Sequence, residues 1–93
     1  MSKAALAHLT RVQARALAPH VRVNGIAPGA VLPPEDWPAE RWDALARVAT
    51  LQRTGSPNDV VQALMFLIEA EFVTGHILPV DGGRLLGPQG PPS

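Results

Sequence analysis

The period of the apolar positions changes along the chain, and each change marks an expected element. Residues 2–18, SKAALAHLTRVQARALA, are rich in helix formers, with Ala5, Leu6, Leu9, Val12, Ala16 and Leu17 near one face at helical spacing. Ser2 is placed to cap this helix and Pro19 to end it. Its alanines allow close approach, so packing against a sheet or a partner helix is expected. Val21 to Val31, VRVNGIAPGAV, is then a short apolar run containing Val21, Val23 and Ile26, and Pro28-Gly29 closes it. The pattern predicts a strand of about five to seven residues. A strand end of this kind leaves backbone groups available, and open α/β sheets bind ligands there; a buried strand with an ordinary turn is the alternative.

From Leu32 to Thr50, LPPEDWPAERWDALARVAT, prolines, charges and both tryptophans gather in one segment. Pro38 suits the first position of a short helix running to about Val48, with Trp42 and Leu45 on one side. A connection this long is often a lid or a binding loop, and its tryptophans either cover an aromatic ligand or pack the segment onto the core. TGSPND, Thr54 to Asp59, is the clearest helix start: Ser56 as N-cap, Pro57 first, Asp59 third. Val60, Val61, Leu64, Leu67 and Ile68 then repeat at three and four, predicting a core-packing helix from Pro57 to about Ala70. Phe72 to Gly75 turns the chain into a second strand, His76 to Val80, ending at Asp81-Gly82-Gly83. Pro79 requires that strand to be an edge or to turn that position away from the ladder. Gly87 to Ser93 has no apolar content and reads as a disordered tail, 87–93. Helix, strand, loop with helix, helix, strand is the order of an α/β fold with parallel strands, the C-terminal part of a doubly wound, Rossmann-type sheet.

The composition narrows the function classes. Lys plus Arg and Asp plus Glu number 8 each, so no basic footprint for nucleic acid exists. There is no cysteine, which excludes disulfides and thiolate chemistry and suits a reducing compartment. No apolar run approaches a membrane span and the N-terminus lacks signal-peptide order, so the expected location is cytoplasmic, without a membrane partner. His8, His20 and His76 lie far apart, and no metal site is assigned.

The succession SKAALAHLTR, RVNGIAPGAV, RTGSPND and FLIEAEFVTGHILPVDGG resembles the C-terminal third of a classical short-chain dehydrogenase/reductase, over about Ser2 to Leu86. PGAVLPPE, RTGSPND and FLIEAEFVTG look most like its pteridine reductase and dihydrofolate reductase-like branch. The resemblance implies that 1–86 is the C-terminal portion of such a domain, with 32–50 as its substrate loop. It places Lys3 at the lysine of the family's Tyr-x-x-x-Lys motif, which binds the nicotinamide ribose and lowers the pKa of the proton-donating tyrosine. Taken alone, Lys3 would be a surface residue at a helix start. Pro28, Gly29, Ala30 and Val31 match the loop that meets the nicotinamide, with the backbone of Val31 at the carboxamide and the tight turn as the reason for glycine. Leu32, Trp37 and Trp42 become substrate-loop candidates, and Asn24 matches a structural position within the strand. Pro33 stands where many members have a threonine reaching the pyrophosphate.

The implied cofactor is NADP or NAD, with NADP preferred on resemblance alone, and the implied partners are a small-molecule substrate and further copies of the chain, through 2–18 and 57–80. The matching tyrosine would stand two residues before Met1, and the sequence holds no tyrosine. The family's glycine-rich phosphate loop and catalytic serine also have no match. The expectation is therefore the C-terminal fragment of an NAD(P)H-dependent carbonyl or pterin reductase, inactive as an isolated chain; the alternative is a non-catalytic, self-associating module derived from that family.

Overall fold

The computed structural model describes residues 2–32 and 35–87. The first helix, α1, spans Lys3–Leu17, and the Ser2 hydroxyl caps it by accepting from the Ala5 N–H at 3.1 Å. The first strand, β1, is Gly25–Pro28, and the second, β2, is Ile77–Val80. They pair in parallel, Gly25 opposite Ile77 and Pro28 opposite Val80, as the element order predicts. Between them run α2, Ala39–Val48, and α3, Pro57–Glu69; a short 3-10 turn, η1, Arg84–Leu86, follows β2.

The strands are shorter than the apolar runs that announce them. Val21 and Val23 precede β1 because their polar groups are engaged elsewhere: Val21 N–H donates to the Leu17 carbonyl, and Val23 N–H to the Thr74 hydroxyl at 3.1 Å. Asn24 also lies just before the strand, where its amide donates to the Val73 carbonyl and accepts from His76 N–H, fixing the turn into β2. Pro28 belongs to the ladder instead of stopping it, and the pairing closes one residue later with Gly29 N–H on the Val80 carbonyl. Gly25 N–H donates to His76 and Gly29 N–H to Val80, so the alternation of a parallel ladder turns the missing donors of Pro28 and Pro79 outward.

The α1 stripe against the strands is not the leucine face. Thr10 and Ala14 are buried, whereas Leu6, Leu9, Val12 and Leu17 are exposed. A Cβ on Gly25 would lie 3.9 Å from Thr10 Oγ1, and one on Gly75 would lie 3.5 Å from Ala14 Cβ. Small residues win this face because the backbones approach closely at the two glycines. Ile26, on the opposite pleat, lines a groove with Leu64, Leu67 and Ile68 of α3, so the two helices cover opposite faces. In α3 only Leu67 is buried; Val61, Leu64 and Ile68 remain about half exposed, so the expected core-packing face is largely uncovered. Pro38 is the N-cap of α2, not its first helical residue: its ψ of 154° is extended, and its carbonyl accepts from Arg41 and Trp42 N–H. Beyond Gly87, the expected tail lies outside the described residues, as does Pro33.

Candidate functional site

Pro28, Gly29, Ala30 and Val31 leave β1 as one continuous loop, braced from two sides. Gly29 N–H donates to the Val80 carbonyl at 2.9 Å, and Gly55 N–H donates to the Ala30 carbonyl at 2.7 Å. The reason for glycine at position 29 is space, not turn conformation, since it is absent from the left-handed glycines. A Cβ there would stand 2.9 Å from Asp81 Cα and 3.0 Å from Asp81 Cβ, closer than packed atoms come. Only a bare backbone lets the ends of the two strands lie side by side.

Lys3 comes toward this loop by helical geometry. Lys3, Ala7, Thr10 and Ala14 recur at spacings of four, three and four, one stripe of α1, and the last two are its buried members. Ala14 stands at Gly75, before β2, and Thr10 at Gly25, the start of β1, so α1 runs antiparallel to the strands. Seven residues of helix from Thr10 back to Lys3 rise about 10 Å. Three residues of strand from Gly25 to Pro28 advance about the same distance. Lys3 is thus exposed at the level of the strand end, on the inward stripe.

On the other side of the loop a cavity of about 500 Å³ opens between the end of α2, the start of α3 and the end of β2. Ala30 lines it together with Leu45, Arg53, Asp59, Gln62 and Asp81. Arg53 and Asp59 form an ion pair at 3.3 Å, and the Asp59 carboxylate also accepts from Ser56 N–H at 2.8 Å. The Arg53 hydrogen bond, followed by that from the Ser56 backbone, holds the Asp59 carboxyl below its ordinary range. The predicted capping arrangement of Ser56, Pro57 and Asp59 is present, and the spacing rules had no means to add Arg53 to it. Of the substrate-loop candidates, Leu32 is exposed and Trp42 is half-buried on α2. Trp37 is half-buried, with the Arg41 guanidinium stacked 3.9 Å from its ring centre, so one face of the indole is already occupied. Among the described residues no cluster of three His, Asp or Glu side chains could hold a metal, and no helix is long and apolar enough to cross a membrane.

A family model described as enoyl-(acyl carrier protein) reductase matches residues 1–84. A short-chain dehydrogenase/reductase homolog of Bacillus subtilis, YusR, is 40% identical over 89 residues, covering 92% of this chain and 67% of its own. The chain belongs to the short-chain dehydrogenase/reductase family. Within that family, a dihydromonapterin reductase of Escherichia coli is 41% identical over 85 residues, 91% of this chain and 35% of the relative. The crystal structure of FolM alternative dihydrofolate reductase 1 from Brucella suis, in complex with NADP, superposes with a TM-score of 0.83 at 37% identity. That match covers 97% of this chain and 36% of the neighbour. The chain therefore spans about two thirds of the Bacillus relative and about a third of the other two. The α/β architecture with parallel strands is that of the Rossmann-type sheet in these short-chain dehydrogenases/reductases, and pteridine-reducing members are among the relatives.

Proposed function

We propose that the chain supplies the nicotinamide end and the substrate loop of an NAD(P)H-dependent reductase for a carbonyl or pterin-type substrate. Residues 1–86 form that portion and 32–50 its substrate loop. What supports this reading is that Lys3 shares the α1 stripe of the buried Thr10 and Ala14, and helix rise puts it near the level of the Pro28 to Val31 loop. A lysine there serves packing poorly, but its charge suits a ribose hydroxyl and an ionising proton donor. The residues present fit one end of a dinucleotide. Lys3 would meet the nicotinamide ribose, and Pro28, Gly29, Ala30 and Val31 would form the wall against the ring, where a bare backbone permits close approach. The start of α3 does not fit the pyrophosphate, because Asp59 already places a carboxylate at that helix end. When bound, the cofactor would supply the hydride. Lys3 would keep a neighbouring proton donor at lowered pKa, and Leu32, Trp37 and Trp42 would shape the substrate side. NADP is preferred to NAD on family resemblance alone: the Brucella neighbour was solved with NADP, and a Leptospira neighbour with NAD+.

No tyrosine is present to be that donor, so the purified 93-residue chain should not oxidise NADPH or NADH with carbonyl or dihydropterin substrates. Sustained turnover by the chain itself would contradict this. The positive test is a graft, with residues 2–86 replacing the matching segment of the Escherichia coli dihydromonapterin reductase. The folded chimera should reduce dihydropterin with NADPH, and Lys3→Ala within it should lower kcat/KM by about 100-fold or more. A folded, cofactor-binding chimera whose activity is indifferent to Lys3 would sink the assignment.

A second reading, a self-associating module without catalysis, is favoured by one observation. Leu6, Leu9 and Val12 of α1 and Leu64, Met65 and Ile68 of α3 are all exposed by 40% or more. Assembly through 2–18 and 57–80 would cover them.

A further inference from the structure

The helix α2 contributes no buried residue to the fold, although it spans ten positions. Trp42 and Ala44 to Ala46 are half-buried, and a joint just beyond the C-terminus ties the helix to the turn after β2. Ala49 is buried, and a Cβ on Gly82 would stand 3.5 Å from its Cβ. Leu51 N–H donates to the Gly82 carbonyl at 2.9 Å. Between them, the Thr50 hydroxyl lies 2.8 Å from the Gly83 carbonyl and also within hydrogen-bonding reach of the Gly87 carbonyl. A threonine has one hydroxyl proton, so these two carbonyls share a three-centre bond. They bracket η1, Arg84–Leu86, and a displacement of that turn must pull on the same hydroxyl. The approach is close enough to demand glycine: a Cβ on Gly83, whose φ is 81°, would stand 2.9 Å from Thr50 Cβ. At the other end of α2, Pro38 caps with its carbonyl alone, and the Trp37 and Arg41 stack lies within the segment itself.

We propose that Thr50 is a positioning residue for α2, tying the end of this helix to the segment Asp81 to Gly87 so that the turn after β2 sets where α2 sits. The reading of 32–50 as the substrate loop gives this its functional meaning; the joint itself is tested without substrate. In Thr50→Val the packing volume is kept and the shared proton is lost. Amide hydrogen exchange of Asp43 to Val48 should then accelerate by about threefold to tenfold, the change in opening equilibrium expected from one hydrogen bond. Amides of Val61 to Leu67 in α3 should change by less than about twofold. Thr50→Ser should restore the original rates, which a purely packing role for the γ-methyl would not allow. Gly83→Ala, pressing on the joint from the other side, should reproduce the pattern of Thr50→Val. Both tryptophans of the chain lie in 32–50, and there is no tyrosine, so intrinsic emission reports on this segment alone. Acrylamide quenching should rise in the two disruptive variants and not in Thr50→Ser. Unchanged α2 exchange in both disruptive variants, equal acceleration of α2 and α3 in both, or unprotected α2 amides in the original chain would each overturn the proposal. Failure of the reductase assignment would leave these exchange rates as they are.

Discussion

Gly25, the first residue of β1, and Gly29, just past its end, face the same substitution with unequal consequences. At Gly25 a Cβ would meet Ile77 Cδ1 at 2.6 Å, but that atom is the far end of a flexible side chain and can rotate away. At Gly29 the obstacle is Asp81 Cα, part of the backbone of the next segment, at 2.9 Å. Gly25→Ala should therefore cost less than about 1 kcal/mol, whereas Gly29→Ala should cost about 1–3 kcal/mol because the strand ends must part. Urea midpoints at unchanged slope would measure both. Equal costs would mean that the ends of β1 and β2 yield as easily as a side chain. Here the sequence was legible in part. Pro28-Gly29 marked the end of an apolar run, but a turn signal carries no information about the neighbour that later lies against it. The demand for glycine comes from Asp81, and only the pairing of the two strands brings that residue there.

At the scale of elements, the ends of helices were legible where their caps are local and illegible where they are not. Ser2 and the Ser56, Pro57, Asp59 group could be read because a cap at the N-terminus acts over three residues. The C-terminus of α3 is closed from far away: the Arg22 guanidinium donates to the carbonyls of Leu67, Ile68 and Ala70 at 2.7, 2.8 and 2.9 Å. No spacing rule reaches across that sequence separation. The contact also has a cause in the fold, since Arg22 precedes β1 and α3 lies over β1, so an arginine at the entry to the strand meets the exit of the helix. Arg22→Ala should destabilise the chain by about 1.5–2 kcal/mol, the lower part of the range for bonds to a charged donor because water can replace the guanidinium at the exposed Ile68 and Ala70 carbonyls. Faster exchange in the last turn of α3, with α2 unaffected, would distinguish the loss of this cap from general loosening. The periodicity of α1 misled for a related reason. It carries two stripes, one of leucine and valine and one of Lys3, Ala7, Thr10 and Ala14, and hydrophobicity alone selects the first. Close packing at Gly25 and Gly75 selects the second, because only small side chains fit between backbones that near.

For the whole molecule the decisive quantities are size and surface. The radius of gyration is 15.6 Å, against about 12 Å for a compact domain of this length. The accessible surface is 7115 Å², against about 5,200 Å² for a folded monomer of this mass. The surplus, roughly 1,900 Å², is more than twice the roughly 800 Å² that one partner contributes to a standard protein–protein interface. It is also apolar in the places that matter, since Val61, Leu64, Met65 and Ile68 recur on one stripe of α3 and are all about half exposed, and Phe72, three residues past α3, stands fully in solvent. Hydrophobic area on this scale is rarely left open in a soluble monomer. The isolated chain should therefore self-associate at micromolar concentrations, with α3 inside the contact. Leu64→Glu combined with Ile68→Glu places two charges one helical turn apart on that surface. Covering the exposed half of each side chain is worth about 0.7–1.5 kcal/mol, and a two-fold contact carries each substitution twice, so the pair should weaken association by at least about 100-fold, before any cost of burying the new charges. Sedimentation velocity over a concentration series would read this directly. A chain that stays monomeric to about 100 μM would mean that its apolar surface is not covered by its own copies at that affinity. Association untouched by the double substitution would place the contact on α1, where Leu6, Leu9 and Val12 offer the other uncovered stripe.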